Sequence, residues 1–318
     1  RTVRVTILSL IIVVCLLPSW ALPTAQAQAT CEINPGEGCQ QAARGEACTG
    51  TAITPLATAP ATVEAPRLLK VQGMIPDILT EQYMTIVHSS VVSLHNAVTD
   101  EERVVPAVPV VVQPTVTARL RAAPTTETDI VGGVEAGTTL HADAITADGE
   151  WLRVAWQNSS AWVSQSLVTG NVGSLPIYRD GYGDYQAFTV AFDAPCGMLL
   201  LQTPRVTSLR VRANGAEMIL NNSVVLDSPE VGWLRVTALD GGVRLADGVR
   251  VPRGFSALLA MDDENHFTGE VRPPRPMTQM QMEAYTPLTA LPPGIVNEPV
   301  TLPQGKFIRP GPGDDSGM

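Results

Sequence analysis

ADGEWLRVAW (Ala147–Trp156) and SPEVGWLRVTAL (Ser228–Leu239) carry the same tetrapeptide, WLRV, each behind a turn signal. In a strand, side chains alternate between faces, so Leu152, Val154 and Trp156 fall on one side and Trp151 and Arg153 on the other; Leu234 and Val236 likewise oppose Trp233 and Arg235. Leu and Val are assigned to the core. Trp and Arg are expected on an outer, half-wet face, where a ring and a long aliphatic stem shield the sheet while their polar ends stay in water. The residues around the two copies do not match, so the echo marks one strand solution used twice and not a duplicated domain.

Composition points the same way. Of 318 residues only 16% are charged and 45% are hydrophobic, with 26 Gly and 26 Pro, a balance that favours many short strands joined by turns. Asp148-Gly149, Asn214-Gly215, Asp240-Gly241 and Asp247-Gly248 stand where hairpin turns belong. The fold class expected is mainly β: a small SH3-like barrel plus a β-sandwich or jelly-roll-like domain, with a cysteine-containing N-terminal segment and a proline-rich tail. A net charge of −10 and a pI near 4.9 exclude a nucleic-acid partner, which would require clustered Lys and Arg.

Arg1 and Arg4 precede an apolar run, Val5 to Leu17, followed by small residues to Ala29, the order of an export signal over 1–29 with cleavage after Ala27 or Ala29. The competing reading is a retained anchor helix, but the run is short of the roughly 20 residues that span a bilayer. Membrane contact is expected only through this signal before cleavage, and the location is secreted or cell-envelope. Cys15 lies in the run and is not read as a lipid site. Cys31, Cys39, Cys48 and Cys196 are read as disulfide partners, one bridge inside the N-terminal cluster and another tying the cluster to Cys196. A zinc site is the competing reading, and the paired C-x-x-C form is absent. Residues 30–65 form this cysteine segment and an Ala/Thr/Pro linker. Residues 66–114 hold a β hairpin over Met74–Val98 and then a Pro/Val stretch, an edge strand or an extended linker. Residues 271–318 form a proline-rich tail expected to be disordered.

Between 115 and 170, short strands follow at close intervals. LRAAP, AGTTL, DGEWLRVAW and AWVSQSLV, in that order, resemble a bacterial SH3-like domain, whose pattern is an R-x-x-P opening, a G-T turn, a W-x-x-V strand and a closing G-W-V. Ala161 and Ala123 replace glycines of that pattern. A second β unit spans 186–262, and its order ANGAEMILNNSVVL, then WLRVTALDGGVRLADGVRVPRGFSALL, resembles the FecR-like β domain of bacterial envelope proteins. Both resemblances imply β scaffolds and supply no catalytic residue.

A search for chemistry returns little. No G-x-S-x-G, H-E-x-x-H or phosphate loop occurs, and His88, His95, His141 and His266 are scattered. No cofactor or metal is expected; Asp262-Asp263-Glu264 is read as a solvated turn. Trp151, Trp156 and Trp162 are the candidate ligand-binding residues, lining a groove on the barrel for peptide or glycan, with a core role as the alternative. The function expected is a non-enzymatic secreted or cell-envelope protein whose β modules bind or scaffold an extracellular ligand such as cell-wall peptide or glycan, or another envelope protein. The rivals are an accessory subunit or unfamiliar enzyme acting on cell-wall polymer, and a purely structural surface component.

Overall fold

The computed structural model describes residues 37–43, 46–49, 52–55, 67–72, 83–88, 92–104, 108–157, 159–192, 197–203 and 208–304. The expected export signal, Cys31, Cys196, most of the Ala/Thr/Pro linker and the stretch 305–318 lie outside them. The described fold is mainly β, with one short helix, Gln279–Tyr285.

A seven-stranded sheet runs, in spatial order, Val168–Gly170, Val110–Pro114, Leu140–Ile145, Trp151–Trp156, Ser159–Ser164, Ala118–Arg121 and Ile130–Val134. All its strands feed one buried cluster that includes Val112, Leu120, Val134, Leu140, Leu152 and Val163, so the sheet wraps around its own core. This is the expected small barrel, extended by Val110–Pro114. That Pro/Val stretch is therefore a strand, with Pro109 just before it and Pro114 at its last position, where a missing N–H costs the ladder least.

The other two sheets face each other. Arg250–Pro252, Gly242–Leu245, Ala216–Asn221, Ser208–Ala213, Ala187–Phe192 and Val92–Asn96 form one. The second, of nine strands, runs Ala52–Pro55, Glu46–Thr49, Arg67–Gln72, Tyr83–His88, Met198–Gln202, Ser223–Asp227, Trp233–Ala238, Phe255–Met261 and Phe267–Pro276. Their shared core takes Leu94, Phe188 and Val211 from the first, and Ile86, Leu199 and Val236 from the second. Asn214 (φ 50°) and Gly215 (φ 82°) make the left-handed pair a tight hairpin needs. Asn222, at φ 70°, divides the run AEMILNNSVVL, sending Ala216–Asn221 to one sheet and Ser223–Asp227 to the other.

Three expectations of organisation fail. Asp240-Gly241 joins Trp233–Ala238 of the nine-stranded sheet to Gly242–Leu245 of the facing one, a crossover and not a hairpin. Met74–Val98 holds strands but no hairpin: Tyr83–His88 pairs with Arg67–Gln72 and Met198–Gln202, whereas Val92–Asn96 pairs with Ala187–Phe192 in the facing sheet. Local alternation reports that a face is buried, not which layer buries it. The tail, through residue 304, is not disordered. Phe267–Pro276 is an edge strand that tolerates its prolines, and the helix that follows opens with a capping box between Thr278 and Gln281. Met277, Tyr285, Leu288 and Ile295 then pack with Val87, Leu200 and Val225 on the outer side of the nine-stranded sheet. Cys39 and Cys48, joined by a disulfide with 5.4 Å between Cα atoms, belong to the same layer. Both faces of the central strands of this sheet are thus covered, which is why Met198–Gln202 and Ser223–Asp227 are buried at every position instead of alternating.

The barrel is an insertion into the sandwich. Val92–Asn96 leads toward it and Ala187–Phe192 leads away, and these strands are direct neighbours. The two connections run side by side: the Val104 N–H donates to the Tyr182 carbonyl (3.0 Å) and the Tyr182 N–H to the Glu102 carbonyl (2.9 Å). A Cβ on Gly181 would lie 2.1 Å from the Glu102 carbonyl oxygen, so only glycine permits this approach. The guanidinium groups of Arg210 and Arg212 lie over the Tyr182 ring at 4.7 and 4.8 Å, and burial, with a hydrogen bond to Glu217, pushes the phenol up to about 12. Arg212 also binds Glu102 through two contacts of 2.7 Å, which hold that carboxyl down at about 2.

Because Glu102 titrates below its ordinary value of 4.5, its contribution is complete above that pH and is lost as the pH falls toward about 2. Thermal melts at about pH 7 and about pH 3 should show a smaller acid-induced drop in Tm for Glu102→Gln than for the unaltered chain. Equal drops would remove Glu102 from the acid response.

Candidate functional site

Strands Trp151–Trp156 and Ser159–Ser164 pair with Arg153 opposite Trp162 and Ala155 opposite Ser160. Trp151, Arg153 and Trp162 thereby share the outer face of the barrel, while Trp156 lies on the inner face against the core. The Trp156 ring passes 2.7 Å from where a Cβ on Gly132 would stand. The three tryptophans therefore line no common groove.

Nor is the outer face half-wet. Trp151 is 9% exposed and Trp162 5%, because the chain leaving the barrel folds back over this face. The Tyr178 N–H donates to the Ile145 carbonyl (2.7 Å), and the Ile145 N–H to the Pro176 carbonyl (3.0 Å). The Tyr178 ring then meets Trp162 edge to face at 4.9 Å and lies 4.9 Å from the Arg153 guanidinium. Arg153 is buried and binds both carboxylate oxygens of Asp143, through Nε at 2.9 Å and through Nη2. Burial raises the Asp143 carboxyl in spite of that arginine, so the pair is costly to break more than it is stabilising to have.

The second WLRV repeats the arrangement. Arg235 binds Asp227 at 2.7 and 2.9 Å, and the Tyr285 hydroxyl donates to the same carboxylate. Arg272 lies 3.6 Å over the ring of Trp233. In each copy a strand arginine meets an aspartate of the neighbouring strand, and a tyrosine from a later segment seals the pair.

A cleft of about 230 Å³ opens where the barrel meets the sandwich. The barrel contributes Arg153 and Ser160, the connection Tyr178 to Gly181, and the sandwich Gln186 and Ser208 to Arg210. Leu209 turns into the sandwich core, which puts Ser208 and Arg210 together on the opposite face of their strand. Arg210 is held by Asp180 at 2.6 and 3.2 Å and by the Gly181 carbonyl at 2.9 Å, and this pairing lowers the Asp180 carboxyl below the usual range. Arg179 makes no ion pair or hydrogen bond among the described residues, and the side-chain hydroxyls of Ser160 and Ser208 are likewise unused. The volume is below the roughly 300–1,000 Å³ of ordinary small-molecule sites, so it suits a single sugar or an end group. Of its residues the sequence singled out only Arg153, for its place on a strand. Tyr178 and Arg179 belong to a stretch legible only as a connection, and Ser208 and Arg210 to a strand whose neighbour across space no local pattern reveals. Asp262-Asp263-Glu264 is the expected turn: Asp262 accepts from the N–H of Glu264 (3.0 Å) and of His266 (2.8 Å).

Removing one half of the barrel's buried pair strands the other charge. Asp143→Ala is expected to cost about 3–5 kcal/mol in urea unfolding followed by tryptophan fluorescence, and the joint replacement of Asp143 by Leu and Arg153 by Met much less. If the double variant is no more stable than the single one, the cost lies elsewhere than in an orphaned charge.

Residues 116–169, spanning the barrel from its strand Ala118–Arg121 to Thr169, match the family described as Bacterial SH3 domain. Comparison with curated proteins and with solved structures gives no match.

Proposed function

We propose that this is a non-enzymatic, extracellular or cell-envelope protein whose barrel and sandwich together bind or scaffold cell-wall peptide or glycan. The observation that carries the reading is a barrel of the bacterial SH3 family sharing a polar cleft with the domain into which it is inserted. Bacterial SH3 domains commonly bind cell-wall components and occur in envelope-associated proteins, which supports the ligand class and the location. The tryptophans serve as framework: Trp162 packs against Tyr178 at the cleft, Trp151 is buried on the same face, and Trp156 lies over Gly132. The stretch resembling a FecR-like domain, with NNSVVL, ALDGGVRL and VPRGFSAL as strand and turn residues, is read as the scaffold that presents the barrel. Among the described residues no helix is long and apolar enough to cross a membrane.

Incubated with purified peptidoglycan, the chain is expected to pellet with it and to release no soluble fragments. Fragments in the supernatant would replace this function with an enzyme acting on the polymer. Neither pelleting nor fragments would leave a purely structural component.

A further inference from the structure

We propose that the cleft between barrel and sandwich recognises a carboxylate, and that Arg179 receives it. From the function proposed above this takes only the source of the ligand, an extracellular peptide or glycan.

The chain is acidic overall, with a net charge of −10, yet this cleft has the opposite balance. Three arginines line it, Arg153, Arg179 and Arg210, against one aspartate, Asp180. Two have counter-charges: Asp143 of the neighbouring strand holds Arg153, and Asp180 holds Arg210 in a bidentate pair. Both carboxylates are engaged in those pairs. Arg179 is the surplus, exposed and without a partner among the described residues. A guanidinium presents planar donors whose spacing matches the two oxygens of a carboxylate, and a single unbalanced cation suits a singly charged anion. Ser160 and Ser208 add two hydroxyls without a partner among the described residues, one from the barrel and one from the sandwich, that can each donate and accept. At about 230 Å³ the space admits one sugar ring or the end of a peptide, not a length of polymer. The ligand is therefore a carboxylate carried on a single residue.

Two pairs of small molecules test this by calorimetric titration of the full chain. In the first, N-acetylmuramic acid is compared with its methyl ester, the same lactyl ether without the charge. In the second, N-acetyl-Ala-Ala with a free carboxyl terminus is compared with its terminal amide. In at least one pair the acid should bind about tenfold or more tightly than its neutral counterpart, as a charge-assisted pair predicts. A preference in the first pair identifies a sugar acid as the source, and in the second a peptide end. Arg179→Gln, at an exposed and unpaired side chain, should keep the fold and abolish the preference, and Arg179→Lys should restore part of it. No preference in either pair, or a preference that survives Arg179→Gln, overturns the proposal. Peptidoglycan pelleting on the same preparations separates the two claims. Pelleting without an acid preference sinks the carboxylate site alone; an acid preference without pelleting sinks the proposed function alone.

Discussion

The antiparallel pairing of Val92–Asn96 with Ala187–Phe192 is the constraint on which the cleft depends. A whole barrel lies between these neighbours, and they can meet only if the chain enters and leaves it at one place. The entropic cost of closing so long an interval grows slowly with its length, and a barrel with its own core keeps the two ends close. What remains is to hold the connections together, and the residues there are suited to it. Gly181 allows backbone contact where a side chain would collide, Tyr182 is stacked under two arginines, and Glu102 links the incoming connection to Arg212 of the sandwich. Without these tethers Ser160 and Ser208 would belong to separate bodies, and the cleft would have no far wall.

The same economy explains the repeated WLRV. A sheet whose second face is to be covered by a later segment needs a strand that is apolar inward and yet offers that segment something to dock on outward. An arginine paired with a neighbouring aspartate meets the need: the pair neutralises itself within the sheet and leaves an orientable, half-polar surface for a tyrosine. Tyr178 uses it in the barrel and Tyr285 in the sandwich. The cost is that neither partner tolerates the loss of the other, because each would be left charged and buried.

These features mark how far the sequence could be read. Strands and their turns were legible, because alternation and Asx-Gly pairs are local: Asp148-Gly149, Asn214-Gly215 and Asp247-Gly248 all fall at turns, each with its glycine at positive φ. Inward Leu and Val of both WLRV strands were legible for the same reason. What escaped was what covers the outward residues. Trp and Arg on a strand look solvated unless one knows that the Tyr178 connection or the Tyr285 segment returns over them, and that return is a long-range fact. The tail misled through composition: Pro273, Pro274 and Pro276 lie on an edge strand and Pro287 opens a short 3-10 helix, where they cost little, while Leu288, Ile295 and Val300 supply apolar anchors that a disordered segment would not bury. The continuous run Met198–Leu201, by contrast, is a local sign that both faces of a strand are covered, and it went unread.

An acidic protein with a cationic cleft raises the question of which charge an approaching anion feels. At physiological ionic strength the screening length is about 8 Å, so exposed carboxylates farther away than that contribute little at the cleft. Inside it, Asp143 and Asp180 are not free to repel, since each faces an arginine at hydrogen-bonding distance and acts at longer range as half of a neutral pair. Glu217, which also acts on Arg210, is engaged in turn by the Tyr182 hydroxyl. Arg179 is thus the cleft arginine left without an ion pair among the described residues, and the surrounding negative charge acts mainly to keep the rest of the surface from holding anionic polymer without discrimination. Specificity then follows from geometry: a carboxylate is accepted where a guanidinium lacks a partner among the described residues and hydroxyls of barrel and sandwich stand beside it.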